Sequence, residues 1–180
     1  MILLISTCKY SLSEEEFVEP IAAIVRETGC KYSIRRYYEK VNFSEFDKII
    51  ICGTALKDFN YLKYLSNFKP LLNYSGKVLG ICAGYHILAK IHGASLSKVE
   101  KIGVYEVKVV KENPLLDKKV VRAYFLHTLA LTEANSFLEP IAFQDREICM
   151  FRVRGKDFYG TAFYPEVLNK EVIVKFIELK

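Results

Sequence analysis

"GKVLGICAGYHILA", residues 76–89, runs from an apolar strand-like stretch directly into a helix-like one, with Cys82 at the joint. Gly80 lies two residues before that cysteine and Gly84 two residues after it, with Ala83 between. Small neighbours let a chain turn sharply from strand to helix and lift one side chain above the carboxyl edge of a sheet. The amides of the following helix would favour a thiolate there, and the Ala83 amide could donate to an oxyanion. The bland alternative is a buried free cysteine, the usual fate of such residues. At this turn the spacing favours the nucleophile.

The rest of the chain sets that joint in an α/β frame. "MILLIS" is a continuous apolar run, expected for a strand covered on both faces. "SEEE" predicts a capping box, with the Ser13 hydroxyl accepting from the Glu16 amide. Phe17, Ile21, Ile24, Val25 and Thr28 follow at helical spacing, and Gly29 can end the helix. Pro20 fits a first turn and would kink a helix that began earlier. "KYSIRRYY", "DKIIIC" and "KVLGI" read as further strands, with "LKDFNYLKYL" as a helix between the last two. Strands alternating with helices imply a mostly parallel sheet with crossover helices. After Gly93 the texture becomes β-rich: "GVYEVKVV", "KVVRAYFL", "TLALT", "PIAFQD", "EICMFRV" and "FYGTAFY". "NKEVIVKFIEL" closes the chain as a helix, with Asn169 at its cap. No repeat, linker or low-complexity tract divides residues 1–180, so a single domain is expected.

Composition narrows the function classes. Hydrophobic residues make up 51% and charged residues 26%, without an apolar run long enough to cross a membrane. The first residues lack a basic region and soon meet Glu14–Glu16, unlike a signal peptide. Five cysteines, odd in number and never spaced as CxxC, suit free thiols in a reducing cytoplasm better than disulfides or zinc. The net charge of +5 is interspersed, and no binding motif accompanies it, so no nucleic-acid partner is expected. Abundant Lys, Ile and Tyr beside a single glutamine, Gln144, is a composition met in thermophiles. Twelve Tyr and twelve Phe fall mostly on strands and apolar helix faces and read as core. No metal or cofactor is called for.

"GICAGYH" resembles the nucleophile motif of class I glutamine amidotransferases, and "FYGTAFYPEV", residues 158–167, resembles that family's closing motif, where a glycine-led strand ends in His-Pro-Glu. "RAYFLHTLAL" is similar to its histidine-bearing strand, "AFQDREICMFRV" to its last hairpin, and "DKIIICGTA" lies where its oxyanion loop lies. These matches keep the family's order over nearly the whole chain. The resemblance implies a flavodoxin-like three-layer sandwich with a β-rich insertion in its second half. It also implies a Cys–His–Glu triad that hydrolyses glutamine through a γ-glutamyl thioester and hands ammonia to a synthetase in trans. Carried over, Cys82 is the nucleophile and Glu166 the orienting acid, with Gly53, Thr54, Ala83, Gly84, His127 and Thr128 around substrate and oxyanion.

Three positions depart from that pattern. Tyr164 stands where the triad histidine stands. A phenol titrates near ~10 against ~6.5 for imidazole, so it stays neutral and cannot pair with a thiolate. Loss of a triad base costs on the order of 10⁴ to 10⁶ in kcat. His86 replaces the family's glutamine, and the glycine-rich loop shrinks to Gly53-Thr54-Ala55. Glu166, its ring gone, is expected to become a surface acid. His86 sits one helical turn beyond Cys82 and is a candidate substitute base, against the plain reading of a half-exposed helix residue. His127 is read as a structural hydrogen-bonding residue near the pocket, and His92 as a cation suited to its helix's last turn. Three functions compete. One is a glutaminase that releases ammonia, and another is a non-hydrolysing relative that binds a ligand or a synthetase-like partner. The third is a cysteine hydrolase pairing Cys82 with His86. Hydrolases of this fold often carry a histidine directly after the cysteine; Ala83 fills that place here, which counts against this reading. A redox-sensing thiol is a minor fourth.

Overall fold

The computed structural model describes all residues, 1–180. One nine-stranded sheet organises the chain, in the order β2-β1-β3-β4-β9-β8-β7-β5-β6. Its parallel half holds β2 (Tyr32–Arg36), β1 (Ile2–Ser6), β3 (Lys48–Ile51), β4 (Lys77–Ile81) and β9 (Phe158–Thr161). All five residues of β1 are buried, as its unbroken apolar run requires of a strand covered on both faces. β2, at the rim, is half-exposed and carries Arg35 and Arg36, charges that discourage pairing with another edge.

The β-rich second half extends this same sheet. β8 (Glu147–Val153) pairs antiparallel with β9, and β7 (Leu138–Gln144) pairs with β8 as the expected hairpin. β5 (Ser97–Val109) joins β7 through two residue pairs, and β6 (Val120–Ala130) forms the far edge. "TLALT" is no separate segment, because β6 runs through Ala130 before an isolated bridge at Leu131.

Helices cover both faces. α1 (Glu14–Phe17) and α2 (Glu19–Glu27) are separated at Val18, which places Pro20 in the first turn of α2, where its missing amide costs nothing. α2 buries Ile21, Ala22, Ile24 and Val25, and Gly29 ends the turn at φ +76°. α3 (Ala83–Ile91) is buried from Ala83 to Ala89. The short α4 (Pro165–Leu168) leads into α5 (Lys170–Glu178), which packs against α2.

Three local expectations fail for stated reasons. Ser13 ends a 3-10 turn in helical backbone and caps nothing; Glu14 instead accepts from Ser6 Oγ at 2.8 Å and meets Arg36 at 3.1 Å. "LKDFNYLKYL" forms a 3-10 helix over Asn60–Asn67, broken at Tyr64, rather than an α-helix. Its start is pinned by Asp58, whose Oδ1 accepts from the Asn60 amide, and its Asn and Tyr residues are weak helix formers. Asn169 stands at the N-cap of α5, but its Nδ2 donates to the Arg122 carbonyl at 2.9 Å and leaves the helix uncapped by a side chain.

Candidate active site

Cys82 occupies the bend between β4 and α3 with φ +47° and ψ −92°. That conformation is sparsely populated by any residue bearing a Cβ and persists only when its surroundings fix it. They do so here. The Cys82 amide donates to Thr161 of β9 at 2.8 Å, and its carbonyl accepts the first helical bond, from the His86 amide at 3.0 Å. The flanking glycines are steric necessities. A Cβ on Gly80 would lie 2.5 Å from the Gly84 backbone, and one on Gly84 would lie 2.3 Å from the Ile51 carbonyl oxygen. The elbow read from the sequence is therefore present, with α3 seated against β3 and β4.

The thiol is not activated as the helix alone would suggest. Cys82 is buried, and burial pushes its thiol up to about 12. The neighbouring Tyr164 hydroxyl and the Ala83 amide favour the thiolate, but less than desolvation opposes it. The Sγ–H points to the Leu126 carbonyl at 3.8 Å.

Tyr164 is fully buried beside that sulfur. Its one hydroxyl proton goes to the Thr54 carbonyl at 2.9 Å. The ring lies so close to the loop that a Cβ on Gly53 would come within 2.4 Å of Cε1. The Gly53–Thr54 loop and the Tyr164 ring thus fit one another. Phe17 and Tyr124 pack on the same ring, with centroids 5.6 and 6.3 Å away. Burial and the nearby sulfur hold the phenol well above its ordinary value, so it stays protonated.

Glu166 is not a surface acid. It is 9% exposed, at the start of α4 after Pro165, and its Oε2 meets no donor. Desolvation raises its carboxyl to about 8, so it is neutral at neutral pH.

The histidines are all buried and all engaged. His86, expected half-exposed, is 2% exposed; Tyr61 OH donates to its Nδ1 at 2.7 Å, and its Nε2–H donates to the Leu129 carbonyl at 2.7 Å. Burial lowers it to about 4, so the ring is neutral. His127 places Nδ1 3.3 Å from the Ala162 carbonyl and Nε2 2.9 Å from Glu147 Oε1, whose other oxygen meets Lys101 Nζ at 2.7 Å. Its partners are thus a carbonyl and the Glu147–Lys101 pair rather than one strand-end bond. His92 is no cation: burial lowers its pKa, and its Nδ1–H donates to the Leu88 carbonyl at 2.7 Å.

Cys82, Ala83, Thr54, His86, His127 and Thr128 line one cavity, closed in by Tyr61 and Phe59, of only about 10 Å³. That is room for a single water at most. Gly53 and Gly84 do not line it; they pack against Tyr164 and Ile51. Tyr61 lines the cavity, and Glu147 and Lys101 reach it only through His127; no signal in the sequence pointed to these three.

Comparison with known proteins identifies the family and the fold. The profile of the family described as "Glutamine amidotransferase class-I" matches residues 13–179. GMP synthase [glutamine-hydrolyzing] of Borreliella burgdorferi is 24% identical over 164 residues, covering 87% of this chain but 32% of that protein. The chain thus spans about a third of that relative's length. A GMP synthase [glutamine-hydrolyzing] subunit from Methanosphaera stadtmanae is 26% identical over 132 residues, covering 70% of this chain and 71% of the relative. Among solved structures, a putative GMP synthase subunit protein from Thermoplasma acidophilum superposes with a TM-score of 0.83 at 19% identity, over 99% of this chain and 93% of that one. A glutamine amidotransferase from Thermotoga maritima gives 0.75 at 20% identity, over 99% and 81%. The latter two likenesses carry the fold, flavodoxin-like with its sheet extended by antiparallel strands. With its elbow, its closing motif and a profile match over nearly its whole length, the chain belongs to the class I glutamine amidotransferase family.

Proposed function

We propose that this family member does not hydrolyse glutamine and serves as a binding protein, with a synthetase-type protein as the partner to test first. The observation that carries this reading is the Tyr164 phenol, which stands beside the Cys82 sulfur and gives its single proton to the Thr54 carbonyl. A nucleophilic thiol needs a base that can take its proton and return it to the leaving amine. The phenol does neither near neutrality.

The surrounding groups support the same reading. Both ring nitrogens of His86 are committed, so it is poorly placed to serve as a substitute base for Cys82. Glu166 carries a proton and orients no imidazole. The cavity before the thiol is far smaller than a glutamine side chain. The fold and the elbow are kept while the groups that move protons are not. The names of the relatives, glutamine-hydrolysing GMP synthases and subunits of such enzymes, make a synthase of that kind the first candidate partner.

The test is ammonia release from glutamine by the purified protein beside Cys82→Ala, with acid-quenched samples searched by mass spectrometry for a γ-glutamyl adduct on Cys82. Equal release and no adduct are expected. Release that depends on Cys82 overturns the proposal.

A further inference from the structure

The parallel half of the sheet reverses direction at a definite place. From β1 the chain crosses to β2 on one side, then returns to β3 on the other side of β1. In open α/β sheets, such a switch point leaves a crevice outside the carboxyl ends of the two strands, because the segments leaving them diverge. Here these are the segment after β1, residues 7–10, and the segment after β3, residues 52–60.

A groove of about 440 Å³ lies there, within the size range of small-molecule sites. Lys9, Lys57 and Lys63 line it, and all three are exposed. None of them is in an ion pair; the ion pairs of the protein engage other cations. Asp58 is the one acid in the groove, and its oxygens are already used. Oδ2 accepts from the Lys9 amide and the Thr54 hydroxyl, each at 2.7 Å, and Oδ1 accepts from the Asn60 amide at 3.2 Å. Asp58 thereby ties the two segments together and fixes the backbone from which Lys9 projects. Three lysines against one aspartate leave the groove two positive charges in excess. Two aromatic rings complete it: Tyr10, 63% exposed, with Lys9 Nζ 5.1 Å from its centroid, and Phe59.

We propose that this groove binds a nucleoside phosphate, with the lysines holding a phosphate monoester and Tyr10 and Phe59 receiving the flat ring. The charge matches a dianion, the aromatic walls match a planar heterocycle, and the volume accommodates both together. Ala55, Asp58 and Phe59 line this groove and the Cys82 cavity alike, so the two share a wall. The inference does not rest on the state of Cys82, and the glutamine assay leaves it standing either way.

The experiment is calorimetric titration of the full chain with adenosine 5′-monophosphate and with flavin mononucleotide, with inorganic phosphate and adenosine as the separate halves. At least one mononucleotide should saturate a single site more tightly than either half. Lys57→Ala and Lys63→Ala should each weaken it about tenfold, the usual scale for one charge-assisted contact. Lys119→Ala, on a different groove, should leave it unchanged, and all three variants should unfold like wild type, since these lysines are exposed. The proposal is overturned if neither nucleotide saturates, if phosphate alone binds as tightly as the nucleotides, or if binding survives the double lysine variant.

Discussion

The Tyr164 hydroxyl donates to the Thr54 carbonyl at 2.9 Å, so a residue of the closing motif latches the loop that follows β3, 110 positions earlier. The same ring fills the space that a side chain on Gly53 would need. Tyr164 and the Gly53–Thr54 loop are therefore packed as one unit, and a change in either must be felt by the other.

Gly53→Ala is expected to destabilise the protein by about 1–3 kcal/mol, because its Cβ must displace the Tyr164 ring and stretch the bond to Thr54. In a Tyr164→Ala background the same substitution should cost less than about half as much. Urea unfolding of the four proteins measures the coupling. Costs that are equal in both backgrounds contradict the latch.

Glu166 gives a pH signature. Folded, it holds its proton to about pH 8, whereas its ordinary value is 4.5. The native state therefore binds more protons than the unfolded chain in that window. The stability tied to this group is complete below the lower value and lost as pH rises through the upper one. Glu166→Gln, neutral at every pH, should gain on wild type from about 4.5 to about 8, at up to about 1.4 kcal/mol per pH unit, and then run parallel. His86, lowered to about 4, acts in the opposite sense and is common to both proteins. Parallel curves throughout would exclude a buried neutral carboxyl.

Backbone strain at the elbow predicts an inversion. At an ordinary position glycine is about 0.5–1 kcal/mol less favourable than alanine. At Cys82, with φ +47°, glycine relieves strain on the order of 1–3 kcal/mol. Cys82→Gly should thus be at least as stable as Cys82→Ala in thermal unfolding. An alanine variant clearly more stable than the glycine variant would mean that the bend is unstrained.

How much of this was legible in the sequence follows the range of each interaction. The elbow could be read because Gly80, Ala83 and Gly84 report a steric constraint within five residues, and Tyr164 because it sits inside a recognisable motif. The parallel order followed from the alternation of strand and helix. Ser13 misled because its helix-start pattern is local, whereas Glu14 is claimed by Ser6 and Arg36 across the fold. The burial of Glu166 and the bonds of His86 to Tyr61 and Leu129 depend on partners 25 or more residues away or on packing density, for which the residue types carry no sign. The helical dipole at Cys82 was correctly placed but outweighed, since burial acts on the thiol more strongly than the amides do.

Reversal of single departures should not restore hydrolysis. Tyr164→His alone is expected to release no ammonia from glutamine, because the Tyr61–His86 bond still closes a cavity of about 10 Å³. Tyr164→His combined with His86→Gln opens that cavity and supplies an imidazole, and is the variant in which Cys82-dependent release should first appear. Release by Tyr164→His alone would show that the cavity opens unaided.

The protonation of the Cys82 thiol is the most direct test of a site left without a working base. It can be followed as the thiolate ultraviolet absorbance of wild type minus that of Cys82→Ala, from neutral to strongly alkaline pH. No Cys82 thiolate is expected at neutral pH, with a rise only toward about 12. A Cys82-dependent transition near neutrality would reveal a base acting on this sulfur and contradict that reading.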